Sequence, residues 1–307
     1  MQYFYPFLTI LGLAIYETVS SIDNAIINAE VLSTMGQKAK KWFLVWGMLF
    51  SVFLIRGFLP WGIIWITNPS LGPAGALTAT FSSDPRVKNA LEESSPVLLI
   101  GGGVFLVFLF FNWLFTEPKN YLIKGERFFN RYSLWFYATV SLILSLIVWF
   151  AIKINPLMAF GAVVGSSAFF ITHGFRENAQ VQEADLKSNV VSDLSKILFL
   201  EIIDASFSID GVLGAFAFTL SVPLILLGSG LGAVVVRQLT VSNIKRVGEY
   251  IYLENGAMYS VFVLGLVMVF NSFKFGIPEW FSPVSTLVIV GYFFWQSKKA
   301  RSKIISV

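Results

Sequence analysis

Stretches of apolar residues that are long enough to cross a bilayer recur along the whole chain. A transmembrane helix needs about 20 predominantly apolar residues to cross a hydrocarbon layer of about 30 Å. Short polar, Gly or Pro interruptions divide the chain into nine such stretches. We place the predicted spans at residues 7–29, 42–67, 97–116, 133–152, 156–173, 196–218, 222–238, 257–272 and 282–297. The pattern therefore predicts an all-α fold, a polytopic bundle of about nine transmembrane helices that forms one membrane domain over residues 1–307.

Composition supports a membrane protein. Apolar residues make up 56% of the chain and charged residues 13%, whereas a soluble domain has about 45–50% and about 25%. Cys is absent, which excludes disulfides, thiolate metal sites and Cys nucleophiles. The net charge of +4 comes from short loops beside the spans. We therefore expect the lipid bilayer, and not nucleic acid, as the partner of these basic residues.

The distribution of Lys and Arg predicts an orientation. Loops on one side of the nine-span arrangement hold 16 basic residues, and the N-terminus with the loops on the other side holds four. Because cytoplasmic loops collect Lys and Arg, we expect a protein of the cytoplasmic membrane with its N-terminus outside and its C-terminus in the cytoplasm. The first span contains Glu17 and Asp23 and follows no basic stretch, so we expect it to be retained and not cleaved as a secretory signal.

Two acidic motifs repeat at a fixed distance. Glu17 precedes a Ser-Ile-Asp triplet that ends at Asp23, and Asp204 precedes a Ser-Ile-Asp triplet that ends at Asp210. An offset of 187 residues superimposes both pairs. Two further matches follow in the same order, Gly47 and Arg56 with Gly228 and Arg237, then Leu91, Glu92 and Gly103 with Leu253, Glu254 and Gly265. This order indicates a diverged duplication.

The duplicated segments are predicted to cross the membrane in opposite senses, because five spans precede the second one. We therefore predict two inverted three-helix repeats, at residues 7–116 and 196–272. Connecting spans at 133–173 join them, and a final span at 282–297 follows. Inverted repeats are typical of secondary transporters, whose substrate site lies near the midplane between the repeats.

Seven charged residues fall within the predicted spans, namely Glu17, Asp23, Glu201, Asp204, Asp210, Arg56 and Arg237. A charge near a helix centre costs at least about 2.5–3.5 kcal/mol on insertion scales, so such residues usually mark functional sites. One interpretation is that the arginines pair with the acids and only hold helices together. Five acids against two arginines leave three negative charges, which either a bound cation or protonation can neutralise. We predict Arg56 and Arg237 as counterions of the metal-free state.

Helical geometry places Glu17 and Asp23 on different faces of the first span. At about 100° per residue, Asp23 lies about 240° around the helix from Glu17. One polar stripe is formed by Glu17, Ser20, Ser21, Asn24 and Asn28. Both acids reach one ion only from a broken or rotated helix, or from different edges of the stripe. In the second half, Gly211 is predicted to permit an unwound turn directly after the second aspartate.

The polar side chains of these spans offer carboxylate, amide and hydroxyl oxygens. Such ligands suit Mg²⁺, Ca²⁺ or Mn²⁺ and do not distinguish these ions from one another, from a monovalent ion or from a proton. No tightly bound cofactor is expected, and a divalent cation is expected as substrate. Glu254 and Glu92 lie at span ends and are candidate gate residues, although a solvated charge is ordinary there. His173, the only histidine, is a candidate proton carrier, against the simpler role of an interfacial hydrogen-bonding residue.

The paired acidic motifs and the later Tyr252-Leu253-Glu254 resemble the TerC superfamily of membrane proteins, and residues 171–251 are similar to a poorly characterised branch of it. The resemblance covers most of the chain. It implies a metal-ion transporter, since the best-understood relatives export manganese. Transferred to this sequence, it implies the metal-site positions Glu17, Asp23, Asn24, Asp204 and Asp210. We add Glu201, which shares a helix face with Asp204, and note that Gly211 stands where the first half has Asn24.

The leading functional hypothesis is export of a divalent cation, manganese first, by alternating access around a carboxylate site at the midplane. An intramembrane aspartyl protease with Asp23 and Asp210 as a dyad is one alternative, but the chain lacks the Gly-x-Gly-Asp sequence expected beside one aspartate. A structural membrane component of a stress-resistance complex is the other alternative.

Overall fold

The computed structural model describes residues 4–47, 50, 56–78, 85–186, 192–242 and 249–305. These residues form helices and their connections, and no strand occurs among them. The helices are α1 Phe4–Ser20, α2 Ile22–Ser33, α3 Gln37–Trp42, α4 Arg56–Thr67, α5 Gly72–Thr78, α6 Pro85–Thr116, α7 Lys124–Arg131, α8 Trp135–Ile154, α9 Pro156–Leu186, α10 Asp193–Ala215, α11 Val222–Ser242, α12 Leu253–Ser272 and α13 Phe281–Ile305. A π-helix follows α3 at Phe43–Gly47, and a 3-10 helix precedes α5 at Pro69–Leu71. The predicted all-α fold is confirmed.

Within the described residues, five helices are long and apolar enough to cross a membrane, and they fall on five of the predicted spans. They are Glu93–Thr116, Trp135–Ile154, Pro156–Asn178, Val222–Leu239 and Leu253–Ser272. The pair Phe4–Ser20 and Asn24–Ser33, bent by 53°, falls on the first predicted span and raises the number to six. The second predicted span, 42–67, includes residues that lie outside the described part of the chain.

α6 is the central helix of the bundle. It packs against α9 and α12. In its most apolar stretch, 72% is buried, compared with 17% in the corresponding stretch of α8. Trp113 and Phe105 are completely buried on α6, whereas Leu142 and Trp149 are exposed on α8. A helix that exposes large apolar side chains along its length faces lipid in a membrane bundle, so α8 lies at the periphery.

Glycines permit the closest helix crossings. A Cβ on Gly103 of α6 would lie 2.9 Å from the carbonyl oxygen of Gly265 on α12. A Cβ on Gly161 of α9 would lie 2.7 Å from the carbonyl oxygen of Val97 on α6. Small residues at such crossings let the backbones approach closely, as is common between helices in membranes.

α10 lies where the two acidic motifs meet. It contacts α1, α2, α9 and α11, and it also packs against the π-helix. α1 in turn packs along α11. The acids of α10 and the polar stripe of α1 and α2 are therefore brought to the same part of the bundle.

Candidate functional site

The first span is broken at Ser21, between Glu17 and Asn24. α1 ends at Ser20 and α2 begins at Ile22, with a 53° bend between the helices. The Ser21 hydroxyl donates to Glu17 Oε1 at 2.7 Å. Of the arrangements that the sequence left open, the structure has the broken helix, and the break separates the side chain of Glu17 from the polar residues of α2. The side chain of Asp23 lies outside the described part of the chain.

Glu17 is buried between two glycines of the second half. It is 1% exposed, and a Cβ on Gly211 of α10 would lie 3.0 Å from Glu17 Oε2. A Cβ on Gly232 of α11 would lie 2.5 Å from Glu17 Cβ and 2.7 Å from the carbonyl oxygen of Ala14. Glycine at both positions therefore makes the room in which the carboxylate lies.

The structural role of Gly211 differs from the predicted one. α10 remains helical through this residue and ends at Ala215, so the expected unwound turn after Asp210 is wrong. The absent side chain admits the Glu17 carboxylate, while the helical backbone continues. Gly211 thus serves close packing, which the sequence alone does not distinguish from conformational freedom.

Asp204 receives two amide donors from α2. Asn24 Nδ2 donates to Asp204 Oδ1 at 2.5 Å, and Asn28 Nδ2 donates to the same oxygen at 2.9 Å. The side-chain oxygens Oδ1 of both asparagines are buried and accept no hydrogen bond from the described residues. Asn28 belongs to the predicted polar stripe but not to the predicted site, which missed it. Asn28 lies seven residues after Ser21, which is two helical turns along the same face, and this spacing could have identified it.

Glu201 lies one turn before Asp204 on the same helix. A Cβ on Gly47 of the π-helix would overlap Glu201 Oε1, so this carboxylate lies directly against the end of the π-helix. Both of its oxygens are buried without a hydrogen-bond donor among the described residues. Arg237 of α11 interacts electrostatically with both Glu201 and Asp204, and it is the predicted counterion that the described part of the structure places beside acids. The side chain of the other, Arg56, is not described.

Asp210 pairs with Arg176, which the sequence assigned to a loop. A guanidinium nitrogen of Arg176 bonds Asp210 Oδ2, and the two side chains are 14% and 12% exposed. The Tyr16 hydroxyl donates to the backbone carbonyl of Asp210 at 3.2 Å. α9 continues through Gly174 to Leu186 instead of ending near His173, and this extension brings Arg176 to the acid. The excess of acid over arginine in the bundle is therefore smaller than predicted.

A cavity of about 440 Å³ opens beside this ion pair. The acidic, basic and imidazole side chains that line it are His173, Arg176, Glu177, Asp210, Glu117 and Glu254. Trp113 Nε1 donates to Glu254 Oε1 at 2.6 Å, and His173 Nε2 lies 3.3 Å from Glu177 Oε1. Glu254, a predicted gate residue, thus lies at the wall of this cavity. The side chain of Glu92, the other gate candidate, is outside the described part.

The predicted ligands form two neighbouring groups in the described part of the chain. In the first group, Glu17 interacts electrostatically with Asp210. In the second group, Asn24 donates a hydrogen bond to Asp204, and Arg237 interacts with Asp204 and Glu201. Among the residues that the structure describes, no three His, Cys, Asp or Glu side chains are arranged to hold a metal ion. A cation site in the second group therefore depends on the asparagine oxygens as well as on its two carboxylates.

Comparison with known proteins identifies a family. No curated protein matches the chain, and no solved structure does. A family described as "Protein of unknown function (DUF475)" matches residues 22–303, which is most of the chain and includes α2, α10 and the cavity-lining part of α9. The chain therefore belongs to the DUF475 family.

Proposed function

We propose that the protein transports a divalent metal cation across the cytoplasmic membrane, with manganese export as the first activity to test. The contact of Asn24 and Asn28 with Asp204 carries the proposal. It joins residues of the two acidic motifs and leaves buried oxygens of Asn24, Asn28 and Glu201 without donors in the described structure. Buried polar atoms without partners are rare in proteins, and a cation is one partner that satisfies several oxygens together.

The chemistry of this group favours a hard divalent cation as substrate. Amide and carboxylate oxygens are ligands of Mg²⁺, Ca²⁺ and Mn²⁺. Arg237 supplies the positive charge beside Asp204 and Glu201 in the absence of an ion. An entering cation then replaces the arginine as the partner of these acids, which couples binding to a movement of α11. Manganese is chosen among these ions because of the TerC resemblance.

Three contacts support an inverted duplication. The 187-residue offset relates Glu17 to Asp204 and Asn24 to Gly211. Asn24 contacts Asp204, and Gly211 contacts Glu17, so each half contributes the same pair of positions to a contact with the other half. Gly103 and Gly265, which the sequence also relates, meet each other at the α6–α12 crossing. Equivalent residues meet in this way when they lie on a twofold axis.

The cavity beside Asp210 provides one side of an alternating-access route. Glu117, Glu177 and Glu254 line it, and the loops that follow or precede them carry the excess of Lys and Arg. In a nine-span arrangement with a cytoplasmic C-terminus, the cavity faces the cytoplasm. Its carboxylates attract cations from that side, and rocking of the two halves would expose the site to the other side.

An aspartyl protease receives less support from the same geometry. A protease dyad requires two carboxyls that share a proton. Asp210 instead bonds the guanidinium of Arg176. A purely structural role accounts for that ion pair. It does not explain why both carboxylate oxygens of Glu201 are buried without a donor among the described residues.

The test is metal flux in proteoliposomes that contain the full chain and an entrapped metal-sensitive dye. We expect flux of Mn²⁺ by the wild type and a loss of at least about tenfold in Asp204→Asn, the scale on which even outer-shell partners of a metal act. Asp193→Asn is the matched control, because this acid lies on the same helix and contacts the Gly36 N–H at 3.1 Å near its start. Equal flux in both variants, or no flux of Mn²⁺, Mg²⁺ or Ca²⁺ by the wild type, contradicts the proposal.

A further inference from the structure

The short helix α7 is fixed to the bundle through a buried acid. Glu126 is 1% exposed, and its Oε2 accepts the N–H groups of Leu122 and Ile123 at 2.7 and 3.1 Å. Asn255, at the start of α12, donates to Glu126 Oε1 at 3.1 Å. These bonds hold one face of α7 towards the protein and thereby determine which face points outward.

A second anchor holds the other end of α7. Asn130 Nδ2 donates to the carbonyl oxygen of Glu117 at 3.0 Å, directly after α6. The Tyr121 hydroxyl donates to Asn130 Oδ1 at 2.8 Å. α7 is therefore a fixed element of the structure, and it connects two helices that are long and apolar enough to span a membrane, Glu93–Thr116 and Trp135–Ile154.

The outward face of α7 is basic. Lys124, Arg127 and Arg131 are exposed, and at about 100° per residue they fall within about 60° of one another. The Arg127 guanidinium lies 5.5 Å from the centre of the Tyr121 ring. None of the three forms an ion pair among the described residues, so their charges are available to an anionic ligand.

An aromatic groove adjoins this basic face. Its volume is about 280 Å³, and it is lined by Phe115, Phe128, Phe129, Tyr132, Trp135 and Thr139. Phe128 and Trp135 are 61% and 63% exposed. Phe115 and Phe129 pack edge to face at 5.3 Å and close one side of the groove. The groove is therefore open, apolar and placed where two spans meet the membrane surface.

We propose that this groove binds one anionic phospholipid. The basic face of α7 matches the charge of a lipid phosphate, and the aromatic groove matches the upper part of an acyl chain. Both features lie between the end of one span and the start of the next, where the lipid headgroup region meets the acyl-chain region. Basic residues at such a position attract anionic lipids of the cytoplasmic leaflet, with a contribution of about fivefold in affinity per residue. This proposal does not depend on metal transport.

The experiment is native mass spectrometry of the full-length protein, purified in detergent and titrated with phosphatidylglycerol or phosphatidylcholine. We expect the wild type to retain one phosphatidylglycerol in preference to phosphatidylcholine. The triple variant K124Q/R127Q/R131Q is expected to bind phosphatidylglycerol at least about tenfold more weakly, since three charges are removed. The control K38Q/K41Q/K299Q removes three exposed lysines on α3 and α13 and is expected to retain the lipid.

A second variant tests the apolar part of the site separately. Thr139→Phe places a ring in the groove without changing charge, and we expect it to weaken phosphatidylglycerol retention while the protein stays monodisperse. Equal retention in the wild type and both site variants overturns the proposal. Equal binding of the two lipids by the wild type also overturns it, as does crosslinking of α7 to a second copy of the chain in place of lipid.

Discussion

Asn24 Nδ2 lies 2.5 Å from Asp204 Oδ1, and this hydrogen bond joins α2 of the first acidic motif to α10 of the second. The donor and the acceptor are 180 residues apart in sequence. Asn28 donates to the same carboxylate oxygen from the next turn of α2. The contact therefore reports directly on whether the two halves share one polar site.

Asn24→Asp is expected to make folding depend on a divalent cation. The substitution removes a donor and places a second carboxylate beside Asp204, so the apparent Tm in a chelator should fall, with a free-energy cost of about 1–3 kcal/mol for the lost buried bond. A cation bound between the two acids offsets the repulsion, and we expect Mn²⁺ to raise the Tm of the variant more than that of the wild type. Thermal unfolding in detergent with and without Mn²⁺ measures both shifts.

The control for this measurement is Asn271→Asp. Asn271 Oδ1 accepts the Ile277 N–H at 2.8 Å, and a carboxylate retains that bond. Its Tm is expected to respond to Mn²⁺ as the wild type does. A Tm of Asn24→Asp that Mn²⁺ leaves unchanged argues against a cation site at this contact.

Arg176 and Asp210 are expected to be strongly coupled. Arg176→Gln leaves a buried carboxylate without its cation, and breaking such a pair from one side costs about 3–5 kcal/mol. Asp210→Asn alone leaves the guanidinium without its anion and is also destabilising. In the double variant R176Q/D210N two neutral amides replace the pair, so much of the lost stability should return. A double-mutant cycle on the free energy of unfolding measures the coupling, and additive effects of the two substitutions contradict the ion pair.

Gly232 is expected to tolerate no side chain. A Cβ there would lie 2.5 Å from Glu17 Cβ and 2.7 Å from the Ala14 carbonyl oxygen. Gly232→Ala must separate α1 from α11, and overpacking of this kind costs about 1–3 kcal/mol. Gly291→Ala is the matched control, because a Cβ at Gly291 meets nothing within 4 Å. We expect a lower Tm for Gly232→Ala and an unchanged or slightly raised Tm for Gly291→Ala, and similar values for both argue against the close crossing.

The sequence predicted the features of the fold that depend on local pattern. Apolar stretches located the five candidate spans, and the positions of Glu17 and Asp23 around a helix allowed, among other arrangements, the break that is found at Ser21. The same reasoning failed at Gly211, because a glycine that makes room for a neighbour and a glycine that unwinds a helix have the same sequence signature. Only the packing of Glu17 against α10 distinguishes them.

The partners of the buried charges were harder to predict. The sequence placed Arg176 in a loop, since the apolar stretch of its span ends at His173. The helix continues for several turns after that point, and Arg176 lies one turn beyond His173, on a similar face. Choice of a counterion depends on which helices meet, and α9 and α10 are brought together by packing that no local pattern contains. Arg237, in contrast, was identified because it lies inside an apolar stretch.

Lys119, in the connection between α6 and α7, is expected to give the stability a dependence on alkaline pH. Burial lowers the pKa of its ammonium group from 10.5 to about 8, against the opposing effect of Glu117, Glu254 and Glu126. Between about pH 8 and 10.5 the unfolded chain therefore binds a proton at this lysine that the folded chain has lost, so the contribution of Lys119 to stability rises with pH across that window and is constant below it.

The measurement is the free energy of unfolding of the wild type relative to Lys119→Gln at several pH values, which cancels the groups common to both proteins. We expect the difference to move in favour of the wild type as the pH is raised from 8 to 10. A difference that is flat over this range, or that moves in favour of the variant, contradicts the lowered pKa. Lys153→Gln is the comparison, because it removes a lysine that is exposed at the end of α8.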